Sequence, residues 1–189
     1  MTTFRLRSED SLTRDLTEAA KRGSESAWEQ IYANLAGPVT GYLRSRGAAD
    51  PEDLCSEVFF QIARDIHRFE GNEDQFRSWV FVITHRRLID ARRASTRKPV
   101  AVDLPPGAIE VEGGDVEEEV MASLGTDWTT EVLAALTDEQ QQVLSLRVVA
   151  DLSLEDTAAV MGKRVGAVKA LQRRALAAVK KQLVEGDVS

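Results

Sequence analysis

SLEDTAAVMGKRVGAVKALQRR, residues 153–174, decides the fold class. Ser153 stands as an N-cap before a short helix, Leu154 to Met161, and Gly162 ends it. A second helix, from about Val165 to Leu183, places Val168, Leu171, Ala175 and Val179 on one inner face. Two helices hinged at a glycine, the second with a cationic outer side, have the form of a helix-turn-helix. A recognition helix needs small residues at its exposed start so that its backbone can enter a major groove about 12 Å wide. Gly166 and Ala167 meet that need, and Lys163, Arg164, Lys169, Arg173 and Arg174 can neutralise phosphates beside it. A solvated basic helix in an ordinary bundle explains the charge alone; cap, turn glycine and one-sided charge together favour DNA.

Upstream, Thr137 caps a helix with Glu139 and Gln140 in its first turn, burying Val143, Leu144 and either Leu146 or Val148. Trp128, Val132, Leu133 and Leu136 suggest a further short helix before it. Between Pro99 and Gly114 lie Pro105-Pro106-Gly107 and Gly113-Gly114, the composition of a flexible tether. Charge divides the chain the same way. Phe76–Lys98 holds seven bases against one acid, +6; Asp103–Asp127 holds eight acids and no base, −8; Lys163–Lys181 holds seven bases and no acid, +7. Two basic blocks flank an acidic one, so a chain of net charge −7 can still touch phosphate at two separated places.

The N-terminal half reads as helices throughout, and strand periodicity is absent. Ser11–Arg22 carries Leu12, Leu16 and Ala19 or Ala20 on one side, and Gly23 breaks it. Ser24 caps a helix with Trp28, Ile31, Tyr32 and Leu35; Gly37-Pro38 punctuates; a separate helical run carries Val39, Tyr42 and Leu43 to Gly47. Asp50-Pro51-Glu52-Asp53 is a strong helix start, with the helix running to about Ile66 and burying Leu54, Val58, Phe59, Ile62 and Ile66. After the polar loop Phe69–Asp74, a long helix from Gln75 to about Ala94 turns Phe76, Trp79, Val80 and Ile83 inward.

Two surfaces on this half carry functional signals. Asp53, Glu57 and Gln61 share one helix face through their four-residue spacing, and an acidic face suits a basic protein partner rather than DNA. Aromatic residues Phe76, Trp79 and Phe81 interleave with Arg77, Arg86 and Arg87, the combination unpaired bases require. Phe76 and Trp79 at helical spacing are better read as core; Phe81 is balanced between core and surface.

Several classes are excluded. No apolar run of about 18 residues offers a membrane span, and the first residues lack the apolar core of a secretion signal. Cys55 stands alone, so no internal disulfide forms and the cytoplasm is the expected setting. His67, His85 and Cys55 form neither a metal site nor a nucleophile–base arrangement, so no metal, no cofactor and no catalytic residue is expected.

Four ordered stretches resemble the extracytoplasmic-function (ECF) sigma factors of bacterial RNA polymerase. They are Asp50–Phe59, the pair Phe69-Glu70-Gly71 and Phe76–Val80, Leu136–Gln140, and Leu152–Ala158 leading to Val165–Lys169. The resemblance implies an all-α chain of two small helical domains: region two over 1–97, an acidic linker over 98–126, and region four over 127–189. It implies that Asp53, Ser56, Glu57 and Gln61 meet the clamp helices of the largest polymerase subunit. Glu70, Gly71, Asn72, Glu73 and Asp74 fall where a flipped minus-ten base is captured. Trp79, Arg86, Arg87, Arg92 and Arg93 fall on the helix that reads the duplex edge and assists melting. Lys163, Arg164, Gly166, Ala167, Lys169, Ala170, Arg173 and Arg174 fall where the minus-thirty-five element is read, in a domain that also docks on the flap of the second-largest subunit. An anti-sigma protein is the further partner implied. Family members often carry glutamine at the position of Ser56, asparagine at Arg86, hydroxyl residues at Ala167 and Ala170, and arginine at Leu171. The second reading is a stand-alone helix-turn-helix regulator, which needs no acidic face and footprints DNA without polymerase.

Overall fold

The computed structural model describes residues 16–96 and 136–186. These form α1 (16–21), α2 (Glu25–Ser45), α3 (Pro51–Asp65) with a 3-10 turn at Ile66–Arg68, and α4 (Glu73–Thr96). After the gap come α5 (Asp138–Leu144) running into a π turn (Ser145–Val149), α6 (Leu154–Met161) and α7 (Val165–Gly186). Helices are the regular structure throughout the described residues, as the sequence leads one to expect. The tether, the helix expected around Trp128 and the start of the helix expected from Ser11 lie outside them.

Local chemistry starts α2, α3, α5 and α6 where the sequence places them, whereas α4 starts at Glu73, two residues before the expected Gln75, because Asn72 caps it. Ser24 Oγ accepts from Ala27 N at 3.4 Å, Asp50 Oδ1 from Asp53 N at 2.9 Å, and Ser153 Oγ from Asp156 N at 3.0 Å. Thr137 and Gln140 form a reciprocal capping box. Each such cap stabilises its helix by about 1 kcal/mol. Gly162, at φ 63°, ends α6 in the left-handed region.

Gly37-Pro38 does not divide two helices; α2 runs unbroken through Pro38. A proline inside a helix forfeits one backbone hydrogen bond and costs about 3 kcal/mol. Here Ile31 and Leu35 before it and Val39, Tyr42 and Leu43 after it are all buried on one stripe, and keeping that stripe in register outweighs the loss.

The buried residues form two apolar clusters, and their division does not follow the chain. Leu136, Val143, Leu144, Ala158, Val168, Ala175, Leu176 and Val179 make the core of the second module. Leu146, Ala150, Leu152 and Val160, from the same module, instead join the core built by α2, α3 and α4. The π turn is the cause. Ala150 N donates to Ser145 O, five residues back, so one extra residue is accommodated and the apolar stripe rotates. Val143 and Leu144 therefore face one core while Leu146 faces the other.

Candidate nucleic-acid and partner interfaces

On α3, Asp53, Ser56 and Glu57 are exposed and Gln61 is half-buried. Phe60, 72% exposed, lies three residues beyond Glu57 on the same helical stripe. The combination of two carboxylates and an uncovered aromatic ring was only half legible: apolar periodicity explained Phe59, and nothing in it marked Phe60. The face is also less acidic than its sequence suggests. Arg87 Nε on α4 donates to Gln61 Oε1 at 2.6 Å, and its guanidinium lies 3.4 Å from Glu57. Arg87, expected on DNA, thus braces α4 against α3.

The loop before α4 is organised by a capping box. Asn72 Oδ1 accepts from Gln75 N at 3.0 Å, and Gln75 Oε1 accepts from Asn72 N at 2.9 Å. Gly71 has a packing reason, since a Cβ there would stand 2.6 Å from Gln75 Oε1 and 2.9 Å from the Phe69 ring. The loop is therefore held by Phe69, Gly71, Asn72 and Gln75 before any nucleic acid arrives. Asn72→Ala is expected to lower stability by about 1 kcal/mol, and Asn72→Asp to keep it. Urea denaturation checks this, and equal loss in both variants would remove the cap from the account.

Along α4, Phe76 is buried, edge-on to Phe69 and tilted against Trp79. Trp79 is partly buried in that cluster. Phe81 is fully buried, edge-on to Tyr42 with centroids 5.8 Å apart, and belongs to the core. Arg86 and Arg93 are exposed, Arg93 within 4.0 Å of Asp90. Arg77 and Arg92 point elsewhere. Arg77 Nε donates to Ala150 O at 2.5 Å; Arg92 donates to the main-chain oxygen of Arg46 and lies 3.6 Å from Asp138. Asp74 is exposed.

At the other end, α6 and α7 pack around Gly162 as a helix-turn-helix. Arg164, Gly166, Ala167, Lys169, Arg173 and Arg174 are exposed, and Ala170 is half-buried. A Cβ at Gly166 would meet nothing within 4 Å, so the start of α7 is open to a groove. Val165, 39% exposed, adds an apolar contact there that periodicity did not single out. Lys163 is ion-paired with Glu139 at 2.7 Å.

A polar network joins the two halves. Tyr42 hydroxyl lies 3.0 Å from His85 Nδ1, and the Gln142 amide lies 3.2 Å from His85 Nε2. Burial pushes the Tyr42 phenol up to about 12, so it remains a neutral donor. Burial, and then the Arg46 and Arg92 charges, hold His85 below its ordinary 6.5, with Asp138 opposing them. A neutral, half-buried histidine contributes its full stability above the unfolded value and loses it as pH falls below 6.5, because the unfolded chain takes the proton first. The unfolding midpoint of the wild type is therefore expected to drop as pH falls below 6.5, and His85→Gln to flatten that drop. Parallel curves for the two proteins would refute the assignment.

Two helical modules, the second a helix-turn-helix, are the architecture of a Sigma-70 class sigma factor, and the family matches agree. The Sigma-70 region 2 family matches residues 31–98 and the Sigma-70 region 4 family residues 132–181. The chain is 33% identical over 165 residues to the ECF RNA polymerase sigma factor BldN of Streptomyces coelicolor, covering 86% of this chain and 62% of that relative's length. It is 29% identical to ShbA of Streptomyces griseus, covering 85% of this chain and 90% of the relative. CnrH, solved with the cytosolic domain of CnrY, shares the fold at a TM-score of 0.58 and 20% identity over 91% of this chain and 97% of that one. RpoE of Bartonella quintana, solved with the anti-sigma factor NepR, shares it at 0.57 and 17% identity, covering 82% of this chain and 95% of that one. The chain belongs to the ECF family of RNA polymerase sigma factors.

Proposed function

We propose that this chain seats on core RNA polymerase through Asp53, Ser56, Glu57, Phe60 and Gln61, and brings two basic surfaces to a promoter. The observation that carries the reading is one chain holding an exposed carboxylate-and-aromatic face on α3 and an open, small-residue start on α7 flanked by cations. A clamp helix of the polymerase rich in basic residues suits the first. A major groove suits the second, where Val165 can meet a thymine methyl and Lys169, Arg173 and Arg174 the phosphates. Arg86 and Arg93, with the loop Glu70–Asp74, serve the minus-ten element. Unstacking a base pair costs a few kcal/mol, repaid by base capture in the loop and phosphate contacts on α4. The Asn72 oxygen is engaged as a cap, which leaves its amide nitrogen and the loop backbone as the groups offered to a base. Bond-making belongs to the polymerase, in the cytoplasm, and an anti-sigma protein of the kind bound to RpoE is the expected antagonist.

Mixing the purified full chain with core polymerase and sequencing the transcript starts tests this directly. A single shared motif pair upstream of the new starts is expected. A chain that leaves the polymerase's start sites unchanged, yet footprints DNA alone, would be the stand-alone regulator instead.

A further inference from the structure

Several arginines of the first half act as braces between helices rather than as a bare cationic surface. Arg46, with its side chain 1% exposed, donates to Asp138 and Gln141. Arg87 serves α3. It lies one residue from the exposed Arg86, yet its Nε donates to Gln61 Oε1 at 2.6 Å and its Nη1 to Glu57 Oε2 at 3.4 Å. Glu57 and Gln61 stand one turn apart on the stripe that also holds Asp53. A single planar fork thus spans two successive members of the acidic face. The helices under it are fixed in place: Val58 and Ile62 of α3 and Leu88 of α4 are fully buried in one core.

We infer that Arg87 is a positioning residue for polymerase docking: from α4 it pre-orders Glu57 and Gln61 on α3 for the partner, and it makes no contact with the promoter. The inference rests on the reading of α3 as the polymerase-facing surface. Charge alone does not account for the arrangement. A cation beside an acidic face weakens its attraction for a basic partner, so Coulomb's law by itself favours an uncharged residue there. Geometry does account for it. Glutamate and glutamine are rich in rotamers, and immobilising such side chains is a cost that binding otherwise bears. A fork that already holds both lowers that cost in the free chain. Polarity is set as well. A guanidinium only donates, so Gln61 turns its oxygen to Arg87 and its amide nitrogen is left for an acceptor on the partner. Glu57 gives Arg87 one carboxylate oxygen and keeps the other for a donor. With Nε and Nη1 so committed and its side chain 32% exposed, Arg87 is poorly placed for a phosphate, whereas Arg86 beside it is exposed.

Titrating the labelled full chain with core polymerase, read by fluorescence anisotropy, decides the matter. Arg87→Met is expected to bind core about tenfold more weakly than the wild type, although it makes the face more acidic. Arg87→Lys, which restores the charge beside Glu57 but not the fork, should fall between the two. Any other order overturns the inference, and tighter binding by Arg87→Met would mean that charge alone governs. Gln61→Met separates bracing from direct contact. In that background Arg87→Met should cost clearly less than its factor in the wild type; an unchanged factor would put Arg87 on the polymerase itself. Holoenzyme formed at saturating chain should keep the salt dependence of its promoter affinity with Arg87→Met. A fall of about 0.9 in that slope would put the side chain on a phosphate and overturn the inference. Thermal midpoints of the variants should stay near that of the wild type, because a half-exposed pair adds little stability. Midpoints that fall in step with the affinities would make the brace merely structural and end the proposal. A wild-type chain that does not bind core would sink the polymerase-facing reading of α3, and this inference with it.

Discussion

Asp53→Arg combined with Glu57→Arg is expected to weaken binding to core polymerase by at least about 100-fold, which corresponds to about 2.7 kcal/mol. Both carboxylates are exposed on α3 and face solvent beside Phe60. Opposite a basic partner, each reversal replaces attraction by repulsion, and like charges brought together at an interface cost several kcal/mol. The fold should tolerate the change. Asp50, not Asp53, supplies the α3 cap through its side chain, and the Glu57–Arg87 pair is half-exposed at 3.4 Å, where such pairs contribute about 0–1 kcal/mol. The measurement is fluorescence anisotropy of labelled chain titrated with core enzyme, beside thermal unfolding of the same variant. Undiminished binding by a folded variant would mean that α3 does not face the polymerase.

Lys169→Ala with Arg173→Ala is the second large effect. Each phosphate contact removed lowers the slope of log affinity against log salt by about 0.9, so the double variant of the holoenzyme should lose nearly two units of slope. Affinity should fall across all promoter sequences alike, because phosphate contacts carry position rather than base identity. Both residues are exposed on α7, and neither belongs to the second module's apolar core. Titration of holoenzyme onto a promoter fragment at several salt concentrations reads the slope. An unaltered slope removes this face of α7 from the duplex.

What the sequence made legible was whatever chemistry acts over three or four residues. Ser24, Asp50, Thr137 and Ser153 cap because each side chain reaches an amide within its own first turn, and a reader needs nothing beyond that turn. The helix-turn-helix was visible for the same reason. Pro38 misled because the local penalty is real, while the compensation comes from burial against other helices. A period of 3.6 residues leaves Leu146 and Val148 as alternatives for the second module's own core, and the π turn changes the period and sends Leu146 to the other one. The cations of α4 were the least readable. Sequence gives the sign of a charge but not its neighbour, and Arg77, Arg87 and Arg92 prove to be engaged by Ala150, Gln61 and Asp138. Gly71 and Asn72 looked like groups offered to a ligand, whereas Gln75 accounts for both within the protein.

The burial of Arg46 bears on how such factors can be recombined. Its guanidinium is matched to Asp138 and Gln141, residues that belong to the other half of the chain. A chimera that joins this first half to a relative's second half inherits a desolvated cation facing whatever the donor supplies there. Unless aspartate and glutamine travel with the graft, the hybrid either separates its halves or pays in solubility, so promoter-swapping designs should transplant the start of α5 with α2 rather than cut between them.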